Sequence, residues 1–129
     1  MREIKLRYWD NIRECYARAD VLHLDLDGWS TFLRSMYSGH KADDIIVEQY
    51  TGREDDRGKP IYEGDILKFR VGAGKWTGIV YWDDSFCGFN VTNYYNPCSD
   101  DPNLAFSEYP SFTIIGNIRE NPILAKKAQ

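Results

Sequence analysis

Apolar and polar residues alternate along most of this chain, which is the pattern of half-buried β-strands. In the opening stretch Ile4, Leu6 and Tyr8 share one face, and turn-forming residues follow at 10–11. Together with a β-branched run at 45–47 and the turn residues between segments, this pattern predicts strands at residues 4–9, 19–27, 45–50, 61–71, 75–82, 86–91 and 112–118.

One stretch has a helical period instead. Its apolar residues recur at i, i+3, i+4, i+7 and i+8, namely Trp29, Phe32, Leu33, Met36 and Tyr37. The spacing predicts one short amphipathic helix over residues 29–37, which Gly39 ends by taking the left-handed conformation.

Glycines mark the expected bends. Thr51-Gly52 predicts a turn after the third strand, and Gly58 predicts the positive φ of a charged, exposed hairpin loop over residues 53–60. Gly64 interrupts a strand pattern, which indicates a bulge or tight bend of the kind that forms the corner of a small barrel. Gly72-Ala73-Gly74 predicts a second hairpin turn.

The last third of the chain is less regular. Residues 92–110 are polar and aperiodic, and we interpret them as an irregular excursion within a single domain that covers residues 1–129. Asn121-Pro122 is expected to end the last strand, and the tail with Lys126-Lys127 is expected to fray. The fold class is therefore mainly β, with a small barrel-like or strongly bent antiparallel sheet core and one short helix.

Composition narrows the possible functions. The hydrophobic share of 43% is typical of a globular domain, and the aromatic share of 15% favours β structure and self-association. A net charge of −4 argues against a general phosphate-binding surface. No apolar run approaches the ~20 residues that cross a membrane, so we expect a cytoplasmic protein. Cys15, Cys87 and Cys98 lack C-x-x-C spacing, which favours free thiols over a disulfide or zinc site.

Four separated blocks of this sequence resemble the YopX family of phage and prophage proteins. The blocks are residues 2–10, residues 49–52 continuing through 58–66, residues 80–84 and residues 115–122. The resemblance implies a predominantly β fold with a small barrel-like core, self-association, and a phage or prophage protein that acts in the bacterial cytoplasm. It implies no activity and supplies no catalytic or binding residues.

The residues of these blocks are of types that shape the backbone and fill the core. Gly52, Gly58, Gly64 and Asp65 lie where the backbone must bend, and Trp82 is a large apolar side chain for a small core. We therefore predict structural and not catalytic roles for them.

Two acidic patterns could carry chemistry. His23, Asp25 and Asp27 share one strand face and could contribute to a metal site, although a solvated face explains them better and we predict no metal or other cofactor. A metal-dependent hydrolase built on these three residues is the least favoured function. Asp55-Asp56 and Asp83-Asp84 are paired carboxylates, as general acid–base chemistry can use, but adjacent strand residues point to opposite faces. We interpret both as turn-forming pairs, because aspartate caps turns through its own side chain.

A local basic surface is the other candidate. Lys68, Arg70 and Lys75 cluster around the second hairpin, near Trp76 and Tyr81, a mixture that binds single-stranded nucleic acid in small barrels. A solvated sheet face explains them better, because Glu63 and Asp65 dilute the patch and the net negative charge argues against phosphate binding. The leading hypothesis is a non-enzymatic phage accessory protein that assembles with itself or binds a host or phage protein. The alternative is a nucleic-acid-binding module that uses Lys68, Arg70, Lys75 and Tyr81.

Overall fold

The computed structural model describes residues 5–16, 45–85, 87–94, 106 and 111–128. In these ranges the elements are β1 (Leu6–Asp10), β2 (Cys15–Tyr16), β3 (Ile45–Glu54), β4 (Pro60–Tyr62), β5 (Asp65–Val71), β6 (Gly74–Asp83), β7 (Gly88–Val91), β8 (Thr113–Asn117) and α1 (Pro122–Ala128). The chain is mainly β with antiparallel pairing and one short described helix, so the predicted fold class is confirmed. The strand and helix predicted at 19–37 lie outside the described residues.

The strands form two sheets, with the orders β2-β1-β3-β4 and β7-β6-β5-β8. The chain divides into two compact units, one of residues 1–5 with 49–129 and one of residues 6–48. No helix in the described ranges is long and apolar enough to cross a membrane.

In the smaller unit, a buried carboxylate organises the first strands. Glu48 is buried and accepts hydrogen bonds from Arg7 Nε at 3.0 Å and from the Tyr16 hydroxyl at 2.7 Å. The Arg7 guanidinium also lies 4.7 Å from the centre of the Tyr16 ring. Asp10 ends β1 and accepts hydrogen bonds from the backbone N–H groups of the next turn, as its sequence position predicted.

The larger unit has two apolar clusters on opposite faces of the second sheet. The first contains Ile61, Leu67, Phe69, Val80, Val91, Tyr94 and Phe112. The second contains Ile66, Ile79, Ala125 and Ala128. Both faces of β5 are therefore buried at its start, because α1 covers the face that carries Ile66.

Helix α1 corrects the expectation that the tail frays. Pro122 was interpreted as a strand terminator, but it is also the first residue of α1, a position that proline favours because its missing N–H is not needed there. Ala125 and Ala128 are buried, and the Ala128 carbonyl accepts hydrogen bonds from Thr92 Oγ1 and Asn93 Nδ2, each at 2.9 Å. The end of the helix is therefore held by polar contacts.

Gly64 forms the predicted corner. It lies between β4 of the first sheet and β5 of the second, with a φ of 86°. Its N–H donates to the Val80 carbonyl and its carbonyl accepts from the Ile118 N–H, both at 2.9 Å. A residue with a Cβ is strained at this φ, which explains the glycine.

Thr51-Gly52 differs from its prediction. These residues lie inside β3 and not at its end, and the pairing register between β3 and β4 shifts between Tyr50 and Glu54. Gly52 has a φ of 89°, so the expected turn is a bulge within a longer strand.

Candidate functional site

Strand β6 and its hairpin partner β5 carry the exposed residues of the predicted basic surface. Strand β6 is ten residues long, which corresponds to roughly 33 Å, and it is paired with β5 on one side and β7 on the other. Its first residues lie at the β5–β6 hairpin, and its last residues enter the turn to β7. The two ends of β6 have opposite charge.

We call Lys68, Arg70 and Lys75 the basic end of β6. Arg70 pairs directly with Lys75, and Lys68 lies two residues from Arg70, so all three side chains project from one face of the sheet. All three are exposed. In the described part of the chain, none of them makes a hydrogen bond or an ion pair. Like charges in a directly opposed pair repel each other, so the arrangement carries an uncompensated positive charge.

The structure separates Tyr81 from the basic end. Tyr81 shares the face of Lys75 but lies six residues further along β6, at roughly 20 Å. Ile79, which lies between them, is buried in the cluster formed with α1. Trp76 projects from the opposite face. The structure thus brings the three cations together, and it places both neighbouring aromatic residues apart from them.

We call Asp83 and Asp84 the acidic end of β6. Asp83 Oδ1 accepts hydrogen bonds from the backbone N–H of Ser85 at 2.9 Å and from its hydroxyl at 2.6 Å, and these bonds hold the pKa of Asp83 below its usual value. Asp84 Oδ1 accepts from Trp82 Nε1 at 2.9 Å. Both carboxylates belong to the β6–β7 turn, which confirms the turn-forming interpretation and leaves their charge at the surface.

The Tyr81 hydroxyl lies beside the acidic end. It donates to Asp83 Oδ2 across 3.4 Å. Partial burial, followed by the nearby Asp83 carboxylate, raises the pKa of Tyr81.

Two tryptophans are exposed at the ends of β6. The exposed fraction is 52% for Trp76 and 43% for Trp82. The prediction that Trp82 fills the core is therefore wrong: its ring meets Phe89 edge to face, with 5.1 Å between ring centroids, and the sheet ends one residue later.

The other aspartate pair has a structural role. Asp55 Oδ1 accepts hydrogen bonds from the backbone N–H groups of Arg57 and Lys59, at 2.9 and 2.8 Å, and Oδ2 accepts from the Ile114 N–H at 3.2 Å. Its side chain is fully buried, so the expectation that the whole 53–60 loop is exposed is wrong for this residue. Burial alone would raise the pKa of Asp55, but the three N–H bonds and the Arg57 charge lower it.

The Asp55 loop also covers the outer edge of β8. The Asp56 N–H donates to the Phe112 carbonyl at 2.8 Å, and the Arg57 guanidinium donates to the Ile114 carbonyl at 2.9 Å. Thr113 Oγ1 donates to Asp56 Oδ2 at 2.7 Å. An edge strand whose backbone groups are occupied in this way cannot pair with another strand.

The remaining motif residues are structural or lie elsewhere. Gly58 has a φ of 79° in the Asp55 loop, and Asp65 is buried, with its Oδ2 accepting from the Tyr62 N–H at 2.8 Å. His23, Asp25 and Asp27 lie outside the described residues. Among those that are described, no three histidine, cysteine or carboxylate side chains cluster as a metal site. Cys15 and Cys87 are exposed free thiols.

Comparisons with known proteins agree with this architecture. The family model described as "YopX protein" matches residues 5–126. Among solved structures, protein EF1440 from Enterococcus faecalis is similar over 97% of this chain and 99% of its own, with a TM-score of 0.61 and 18% sequence identity. At that identity the likeness shows the fold alone. No curated protein matches the chain.

Proposed function

The chain belongs to the YopX protein family, and from this premise we propose that it is a non-enzymatic accessory protein of a phage or prophage. In this proposal it acts in the bacterial cytoplasm through protein contacts, first of all with copies of itself. Two residues of the family-like sequence blocks support a structural interpretation, because the Gly64 backbone makes two hydrogen bonds and the Asp65 carboxylate accepts one from the Tyr62 N–H.

The exposed tryptophans of β6 are the single observation that carries the proposal. Trp76 and Trp82 leave about half of their side chains in water, and burial of apolar surface contributes about 25 cal/mol per Å². Tryptophan and tyrosine are enriched at protein interfaces because a large rigid ring gains contact area at a low cost in conformational entropy. Tyr81 adds a third aromatic ring at the acidic end.

Light scattering coupled to size exclusion tests self-association. We expect the mass to rise above the 15.0 kDa of one chain as concentration increases, and Trp76→Ser with Trp82→Ser to lower that mass. Ile12→Ser is the matched control, since Ile12 is also exposed but lies on another element. A mass that stays at one chain at high micromolar concentration contradicts the proposal.

A nucleic-acid-binding function is the second candidate, and the shared face of Lys68, Arg70 and Lys75 supports it. Phosphate contacts would make affinity fall steeply with salt. Fluorescence anisotropy with single- and double-stranded oligonucleotides at low and high salt tests it. The absence of binding at low salt removes this candidate.

A further inference from the structure

Charges of opposite sign are segregated along the chain around β6. No acidic residue occurs between Asp65 and Asp83, the stretch that carries the basic end. No lysine or arginine occurs between Lys75 and Arg119, a stretch whose acidic residues are Asp83, Asp84, Asp100, Asp101 and Glu108. Each end of β6 therefore lacks a neighbour of opposite sign in the sequence around it.

The basic end is also uncompensated in space. Arg70 stands directly opposite Lys75, an unfavourable pairing, and neither forms an ion pair in the described part of the chain. At the other end, the bonds from Ser85 and Trp82 reach Asp83 and Asp84 from neutral donors, so they leave the two negative charges in place.

The geometry of β6 prevents the two ends from meeting in one molecule. Lys75 and Asp83 lie roughly 27 Å apart along an extended strand. Lys75 lies in the half of β6 that pairs with β5, and Asp83 lies in the half that pairs with β7, so strand pairing keeps the two ends apart. The two ends therefore do not meet within one molecule, and a second molecule can bring them together.

We propose that the basic end of one copy docks on the acidic end of another, so that copies associate head to tail through β6. This inference rests on the proposed function, and it names the surface and the partner. The exposed Tyr81 and Trp82 supply apolar contact area at the acidic end, while the charges orient the two copies and select the register.

A second copy fits the basic end better than a nucleic acid does. Stacking residues should lie beside the cations in a nucleic-acid site, but Tyr81 is about 20 Å from Lys75 and Trp76 is on the other face. Every copy carries one acidic end, so a partner for the basic end is always present at the concentration of the protein itself.

Head-to-tail contacts have a recognisable physical signature. Each contact leaves one basic and one acidic end unused, so the assembly grows as an open chain or closes as a ring. Mass should rise with protein concentration, and it should fall with added salt because the Debye length shortens from about 10 Å at 0.1 M to about 3 Å at 1 M.

A charge-swap experiment tests the pairing of the ends. The basic-end variant is Arg70→Glu with Lys75→Glu. The acidic-end variant is Asp83→Asn with Asp84→Lys, in which asparagine keeps an acceptor oxygen for the Ser85 N–H. By light scattering, each variant alone should lose the association of the wild type, and an equimolar mixture of the two should regain it. Like-charged ends repel in each separate sample, and opposite ends meet again only in the mixture.

The controls separate this inference from the proposed function. Lys59→Glu with Lys126→Glu makes the same change of net charge as the basic-end variant, but elsewhere on the surface, and should leave association unchanged. Thermal unfolding checks that each variant folds. If the basic-end variant does not fold, Lys75→Glu alone replaces it, and we then expect a partial loss of association. If the wild type associates and the swapped variants associate equally well, the head-to-tail pairing is wrong while self-association stands.

Two further outcomes also overturn the pairing. A wild type that stays at 15.0 kDa removes self-association as well. A monomeric wild type that binds an oligonucleotide in a salt-dependent manner, with binding lost in the basic-end variant, assigns the basic end to nucleic acid.

Discussion

Two adjacent-aspartate pairs, Asp55-Asp56 and Asp83-Asp84, look alike in the sequence and serve different purposes in the fold. Both lie in hairpin turns, and both accept hydrogen bonds from backbone N–H groups or side chains. Asp55, however, is fully buried and joins its loop to Ile114, which is 59 residues away in the sequence. In the described part of the chain, the carboxylates of Asp83 and Asp84 bond only to residues within two positions of them.

The difference shows what decides whether a turn carboxylate is architecture or surface. The Asp55 carboxylate is desolvated, and three backbone N–H donors and the Arg57 charge replace its contacts with water. The fold therefore depends on this side chain. The acidic end of β6 keeps its solvent and its charge, so it remains available to a partner. Substitutions at Asp55 should therefore affect stability, and substitutions at the acidic end should affect association.

Loss of the Asp55 carboxylate should be the most damaging change. Asp55→Ala leaves three backbone N–H groups without an acceptor, and breaking such a buried charged network costs about 3–5 kcal/mol. Denaturant unfolding measures the free energy of unfolding directly. Asp56→Ala, which removes one exposed bond to Thr113, is the control and should cost less than about 1 kcal/mol. Equal losses at the two positions would show that Asp55 is not special.

The corner at Gly64 should come next. A valine at a φ of 86° is strained by roughly 2 kcal/mol or more, since left-handed conformations cost about 1–2 kcal/mol for any L side chain and β-branching adds to this. Gly64→Val should lower the melting temperature by about 5 °C or more. Gly74→Ala should be milder, because the new Cβ would approach only the exposed Trp76 ring, which can move. A Gly64→Val protein that melts with the wild type contradicts the barrel-corner interpretation.

The pH dependence of stability should also single out Asp55. Its pKa in the folded state is lowered below the unfolded value of about 3.9, so its contribution is fully present above that pH and is lost as the pH falls through the folded pKa. The difference in unfolding free energy between wild type and Asp55→Asn should be constant from pH 5 to 8 and should shrink below pH 4. A difference that does not change down to pH 3 counts against this account.

Removal of an acidic-end charge should leave the fold intact. Asp84→Ala removes one exposed bond to Trp82 and should change the free energy of unfolding by less than about 0.5 kcal/mol. The same variant should weaken self-association, which light scattering measures. Destabilisation as large as that of Asp55→Ala would erase the contrast between the two pairs.

Local pattern predicted the strands well because the information lies within each strand. Leu67 and Phe69 face the core and Lys68 and Arg70 face solvent, as their alternation predicted. Turn chemistry was equally local, so the positive φ of Gly58 and Gly64 could be predicted from sequence.

The missed features depend on distant residues. The burial of Asp55 requires Ile114, and the burial of Ile66 requires α1, neither of which is visible in the local pattern. Trp82 was placed in the core by its size, but its exposure follows from where the sheet ends. The basic end was recognisable from sequence, and its distance from Tyr81 follows from six residues of extended strand, while the burial of Ile79 between them depends on α1.

The central claim is that the two ends of β6 meet between copies, and the indole N–H signals of the tryptophans test it most directly. In a nitrogen-15 dilution series, assigned by single Trp→Phe variants, the Trp76 and Trp82 signals should shift as concentration rises. The signal of buried Trp9 should not move. Trp82 Nε1 donates to Asp84, so it reports the acidic end itself. Unchanged Trp76 and Trp82 signals, in samples whose mass rises with concentration, would contradict the claim.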